Sequence, residues 1–191
     1  MKETQGTQLS SGRPFRKKGR SIVAPLSKAA GATWAVAAQQ EHASIAAFAS
    51  LVQDLMAAGA PLDLIERTLR AALDEVTHTR ACLDIHKRES GEQLELKSEL
   101  GFAVDSSLPL GFLIKKIQID SERDGIANEG RSAVSLEQSA RQETRPWLKA
   151  YLSQMAEEEK SHAALAQDIV TWCRTESHRL SIHEPSLGLQ K

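Results

Sequence analysis

The sequence predicts an all-α fold, a bundle of four long helices with one long crossover between helices 2 and 3. Three observations carry this. Alanine is abundant and aromatic residues are few, with one Tyr, three Trp and four Phe among 191 residues, and alanine is the strongest helix former. Helix-punctuating residues fall at wide intervals: Gly59 and Pro61, Ser90-Gly91, Pro109 and Pro146. The gaps between the resulting helices are tight, long and tight in turn.

Residues 1–28 contain Gly12-Arg13-Pro14 and the basic run Arg16, Lys17, Lys18 and Arg20. They read as a flexible basic tail, either solvated or in contact with an acidic partner. Helix 1 is expected over 29–58, with Gly59 just past its end in the left-handed position that favours glycine. Pro61 opens helix 2, and Asp63 places negative charge in its first turn, where the helix dipole favours it. This helix reaches about Lys87 and stops near Ser90-Gly91. Pro109 opens helix 3, which is expected to reach about Arg141. Thr144 caps helix 4, with Pro146 in its first turn, and that helix is expected to end near Glu176. The bundle thus spans 29–177, and 178–191 reads as a flexible C-terminal tail.

Each helix is roughly 25–32 residues long, or about 40–48 Å. The two tight turns make helices 1 and 2, and helices 3 and 4, antiparallel neighbours. The link between helices 2 and 3, about 20 residues, is long enough to return along the bundle and set helix 3 parallel to helix 2.

The formal net charge is −1, so bulk charge gives no argument for nucleic acid. No apolar stretch is long enough to cross a bilayer, and the basic N-terminus lacks the apolar segment of a secretory signal. Cys82 and Cys173 cannot build a disulfide framework and fit a reducing cytoplasm.

The chemistry lies in two acid-Glu-x-x-His segments: Asp74-Glu75-Val76-Thr77-His78 on helix 2 and Glu158-Glu159-Lys160-Ser161-His162 on helix 4. Positions three apart on a helix share a face, so each segment aims a carboxylate and an imidazole at one spot. Glu41 falls on a stripe with Trp34, Ala38, Ile45 and Phe48, and Glu129 on one with Ile126, Ala133 and Leu136. Both stripes should face the core. A lone buried carboxylate costs several kcal/mol. Two of them beside two Glu-x-x-His pairs need a shared cationic partner, which two metal ions supply. Glu41 precedes Glu75 by 34 residues and Glu129 precedes Glu159 by 30. Each half is therefore a helix hairpin carrying one Glu and then Glu-x-x-His, and two such halves make a pseudo-twofold site. Carboxylates with two histidines suit iron or manganese better than zinc or copper.

With these residues in place, the chain resembles the ferritin-like superfamily. In particular it resembles bacterial ferritin-like domain proteins whose first helix carries a Glu-His-Ala-Ser-x-Ala-Ala-Phe stretch, matched here by Glu41 to Phe48. The resemblance spans about residues 30–176. It implies that Glu41 and Glu129 each ligate one metal terminally, that Glu75 and Glu159 bridge, and that His78 and His162 each bind one metal through a ring nitrogen. It also implies a partner role for the preceding acids, Asp74 for His162 and Glu158 for His78. Plain surface charge is the alternative for both.

The resemblance implies a pair of iron ions, or a manganese–iron pair, with dioxygen as co-substrate. The expected activity is that of a non-heme di-iron oxidase or oxygenase acting on a small organic substrate, with specialised metabolism a setting that rests on analogy alone. An external electron donor is needed, and a homodimer through helices 1 and 2 fits by resemblance. A ferroxidase or iron-handling ferritin-like protein is the alternative. No fifth short helix of the cage-forming members is apparent, and the four-cysteine iron site of rubrerythrins is absent. A degenerate bundle acting as a binding protein is disfavoured by the intact set of six ligands.

Other residues read more plainly. His42 is rotated 100° from Glu41 and is not assigned as a ligand. His86, His178 and His183 read as surface residues. Cys82 lies one turn beyond His78, where radical-storing relatives hold a tyrosine and di-iron monooxygenases a cysteine. It is either an oxygenase-like feature or a small buried side chain. Trp34 and Trp147 are expected to close the ends of the core. The small residues Ala37, Ala38, Gly125, Ala133 and Ala163 either leave a pocket near the metals or allow close helix packing.

Overall fold

The computed structural model describes residues 12–17, 20–27, 33–96 and 108–183, and the fold is all-α apart from one short hairpin. The helices are α1 (Thr33–Ala57), α2 (Leu62–Ser90), α3 (Leu110–Asp120), α4 (Gly130–Gln142) and α5 (Pro146–His183). The hairpin pairs β1 (Arg16–Lys17) with β2 (Arg20–Ser21).

Local chemistry explains the turns. Gly59 has φ 72° and Gly91 has φ 73°, the left-handed conformation that a Cβ disfavours. After α1 the Ala60 N–H donates to Leu55 O at 2.9 Å and the Gly59 N–H to Met56 O at 3.1 Å, which satisfies carbonyls the helix end leaves open. Asp63 lies in the first turn of α2 as expected. At the start of α5 the Glu143 carboxylate, not Thr144, takes up open donors. It accepts from the Thr144 N–H at 2.9 Å and the Arg145 N–H at 2.8 Å. α5 continues past the expected end near Glu176 to His183, so part of the expected C-terminal tail is helical. Residues 184–191 lie outside the described residues.

The third rod is not one α-helix. α3 and α4 are joined without a break by a nine-residue π-helical segment, Ser121–Glu129. Its wider turn buries Ser121, Asp124, Gly125 and Glu129 together. π segments are rare and gather at functional sites, and this one ends on a residue singled out as a ligand.

Two apolar plugs fill the bundle ends. One contains Leu55, Leu64, Ile114 and Ile169, from the end of α1, the starts of α2 and α3, and the later part of α5. The other contains Ile85, Leu136, Ala140 and Leu148, with Trp34 against it, from the end of α2, the end of α4 and the starts of α5 and α1. Rod 3 therefore runs parallel to α2, and the link from Gly91 to Pro109 joins opposite ends of the bundle. Its described part, 91–96, bridges at Leu96 to Leu26, and 97–107 lie outside the described residues. Trp34 does close one end, but Trp147 is 44% exposed. The guanidinium groups of Arg88 and Arg145 cover its faces at 5.3 and 5.7 Å, so it is a cation–π platform rather than a core residue.

Residues 12–17 and 20–27, expected as part of the basic tail, pack against the bundle. Phe15 and Ala24 are buried with Ala43, Ala46 and Ala47 of α1. Arg16 Nε donates to Asp124 Oδ2 at 3.2 Å, which spends a charge of the basic run on an ion pair. Residues 1–11, 18, 19 and 28–32, with Lys18 among them, lie outside the described residues. Among the described residues no helix is long and apolar enough to cross a membrane.

Candidate metal centre

Between the two plugs the core turns polar. Glu41 comes from α1, Glu75 and His78 from α2, Glu129 from the end of the π segment, and Glu159 and His162 from α5. All six are buried, with Glu75, His78, Glu129 and Glu159 fully enclosed. Burying a leucine there would gain about 1.5–3 kcal/mol, whereas an uncompensated carboxylate costs several. Four carboxylates in one layer therefore demand an explanation.

The geometry supplies one. The six residues fall into two groups, Glu41, Glu75, His78 and Glu159, and Glu75, Glu129, Glu159 and His162. In each group one ligand atom from every residue lies within 4.8 Å of the others. Glu75 and Glu159 belong to both. Glu75 spans the two directly: its Oε2 lies 3.5 Å from His78 Nδ1 and its Oε1 lies 3.3 Å from His162 Nδ1. The imidazole centroids are 6.4 Å apart.

Both oxygens of Glu75, Glu129 and Glu159, Glu41 Oε2, and Nδ1 of His78 and His162 are buried without a hydrogen-bond partner. Native interiors tolerate few such atoms. Here nearly all of those found converge on one point, so the residues fit a pair of metal ions.

The far nitrogens of both rings are partnered. His78 Nε2 lies 2.7 Å from Glu158 Oε2, and His162 Nε2 lies 3.1 Å from Asp74 Oδ2. Each acid beside one Glu-x-x-His segment thus orients the histidine of the other, which leaves Nδ1 of each ring facing the cluster. The surface-charge alternative for Asp74 and Glu158 falls away.

Electrostatics follows from this enclosure. Burial, and then the neighbouring Glu75, holds the Glu41 carboxyl well above the usual range. Burial and Glu129 do the same for Glu159. Burial brings Glu129 up to about 8. Burial would raise Glu75 too, but His162 and His78 on either side hold it down at about 2. Burial disfavours charged imidazole, yet Glu158 and Glu75 raise His78 to about 11, and Asp74 and Glu75 raise His162 to about 9. Without metal, protons do part of the neutralising, and a metal must displace them.

The surroundings are tight. Phe48 sets its ring against His162 with centroids 5.2 Å apart. Cys82 is free and buried against Ala37, Ala38 and Trp34, so it packs as a small apolar side chain. Gly125 leaves no vacancy, because a Cβ there would lie 2.4 Å from Ala166 Cβ and 3.0 Å from Arg13 Nη1. A cleft of about 430 Å³ lies on the α2–α5 side, beside Asp74 and His162, with Arg67, Arg70 and Leu73 in its wall. His42 is outside both metal groups. His178 is exposed, and the His183 side chain is outside the described residues. His86 is buried, contrary to expectation, with its Nε2 3.2 Å from Ser90 Oγ.

Sequence reasoning missed Gly12 and Arg13. A Cβ on Gly12 would lie 2.8 Å from Glu129 Oε2 and 3.2 Å from Glu159 Oε1, so this backbone touches the centre. Arg13 is 5% exposed, with its guanidinium carbon 5.6 Å over the Phe48 ring. Burial lowers the pKa of its guanidinium, and the nearby Glu129 and Asp124 oppose that. The closeness of Gly12 and the glutamates has no local sequence signal. The run of small residues Ala43, Ala46 and Ala47 was the one hint that a segment packs there.

Compared with family models, curated proteins and solved structures, the chain matches none. The functional reading therefore rests on the site itself.

Proposed function

We propose that this chain is a ferritin-like di-iron protein that uses dioxygen to oxidise a small organic substrate. The observation that carries the reading is the convergence of unpartnered, buried carboxylate oxygens and Nδ1 atoms into two groups sharing Glu75 and Glu159. In this reading Glu41 and Glu129 would each hold one metal, Glu75 and Glu159, common to both groups, would serve both, and His78 and His162 would complete the set. An oxygen-rich donor set with two imidazoles favours iron or manganese. When bound, such a pair supplies the redox chemistry that dioxygen requires.

The protein's own residues then have separate tasks. Glu158 and Asp74 accept the Nε2 protons, fix the ring orientation and make Nδ1 more basic. Glu75 presents one oxygen to each half of the site. Phe48, Ala37, Ala38 and Cys82 keep water from the cluster. Electrons for repeated turnover come from an external donor.

The test is to load the protein anaerobically with Fe(II), admit dioxygen, and follow near-ultraviolet absorbance and oxygen uptake with and without candidate substrates. Two irons per chain, with oxygen uptake coupled to an oxidised product, are expected. Uptake of many irons per chain would replace this reading with iron storage. Unreactive iron would remove the oxidase assignment.

A further inference from the structure

The centre is enclosed by more than helices. On the side where α1 faces the π segment, the chain from Gly12 to Arg16 runs between them. Gly12 lies against the carboxylates of Glu129 and Glu159 with no room for a Cβ. The Ser44 hydroxyl of α1, itself fully buried, donates to the Arg13 carbonyl at 2.8 Å. The Arg13 side chain fills the space between Phe48 and Gly125. Phe15 anchors the segment among the alanines of α1, and Arg16 ties it to Asp124 of the π segment. These contacts are made by side chains and turns, and no helix is broken if they part.

The opposite side of the centre is already spent, since both imidazoles and their partners Glu158 and Asp74 lie between α2 and α5. A cleft on that side stops at His162 and Asp74, whereas the segment covers the face of the centre that carries no imidazole.

We propose that Gly12–Arg16 is a strap that walls the metal centre between α1 and the π segment. It admits ligands of two or three atoms, and a larger organic molecule enters only when it lifts. A side chain at position 12 would meet Glu129 Oε2 at 2.8 Å, so either that carboxylate or the segment must move. Arg13 plugs the remaining gap and places a buried positive charge near it. The strap rests on the di-metal reading and specifies what the same site can admit.

The test uses the full chain loaded with Fe(II) and follows metal extraction by a bulky ferrous chelator. Two variants loosen the strap. Ser44→Ala removes the hydroxyl that holds the Arg13 carbonyl, and Arg13→Met keeps much of the volume without the charge. Helical circular dichroism checks that each folds. Metal stoichiometry should be unchanged, while extraction accelerates about tenfold, because a weakened local contact raises the population of the open form. Gly12→Val should displace the strap and extract as fast. Azide, three atoms long, should bind the oxidised wild type and the variants with similar affinity. Wild-type extraction rates in all three variants would overturn the strap, and azide binding only to the variants would overturn the size limit. A wild-type chain that takes up no metal would overturn the di-metal reading beneath it.

Discussion

His78 on α2 and Glu158 on α5 are joined at 2.7 Å between Nε2 and Oε2, so the residue preceding Glu159 holds the histidine of the other segment. Asp74 repeats the relationship with His162 at 3.1 Å. The two helices are thereby locked in register at the level of the centre.

Loss of this hold should weaken the metal without removing a ligand. Glu158→Gln and Asp74→Asn are each expected to keep two metals at saturation and to lose affinity by about 10–100-fold. Competition with a chelator of known affinity measures this. Unchanged affinity in both would mean that the rings are positioned by packing alone.

Removal of a ligand should do more. Glu75→Ala or His162→Ala is expected to abolish binding of at least one metal, since Glu75 serves both groups and His162 one. Metal analysis of the purified, reloaded variants is the check. Two metals retained in both would dismiss the ligand assignment.

The pH dependence of the metal-free protein has a definite sign. Glu129 is raised to about 8 by burial, and Glu41 and Glu159 are raised well above the carboxylate range. His162, at about 9, and His78, at about 11, are raised by their acid partners against the effect of burial. A group raised on folding stabilises fully below its unfolded value, and that contribution disappears as pH climbs through its folded value. Glu75, held at about 2, acts oppositely and matters only as pH falls below the usual carboxylate range. The metal-free melting temperature should therefore fall from about pH 5 to about pH 8. Metal affinity should rise over the same window, because fewer protons compete. Calorimetric scans with and without Fe(II) test both, and a metal-free curve that rises through this window would contradict the charge assignment.

Gly59→Ala tests the turn between α1 and α2. A Cβ there meets nothing within 4 Å, but φ is +72°. The loss is then purely conformational, about 1–2 kcal/mol, read as a shift in urea midpoint at unchanged slope.

Features with a local signature were legible in the sequence. The left-handed Gly59 and Gly91 follow from helix-end chemistry, and the clustering of the six Glu and His side chains follows from three-residue spacing and core-facing stripes. The crossed pairing of Asp74 and Glu158 came from the family resemblance, and their side chains lie where it put them. What escaped was non-local. The π segment needs one more residue per turn than an α-helix, and nothing in Ser121–Glu129 marks that except Gly125 at its middle. Arg13 and Arg16 read as solvated charge because their partners, Phe48 and Asp124, lie far along the chain. Trp147 looked like core because its position suited a stripe, but α5 turns that face toward Arg88 and Arg145.

The central claim is a site for two metals per chain, and anaerobic Fe(II) titration with analysis of bound metal tests it most directly. The account predicts saturation at two irons per chain, accompanied by a higher melting temperature, because a ligand bound only by the folded state stabilises it. Saturation at none, or equal melting temperatures with and without iron, would contradict it.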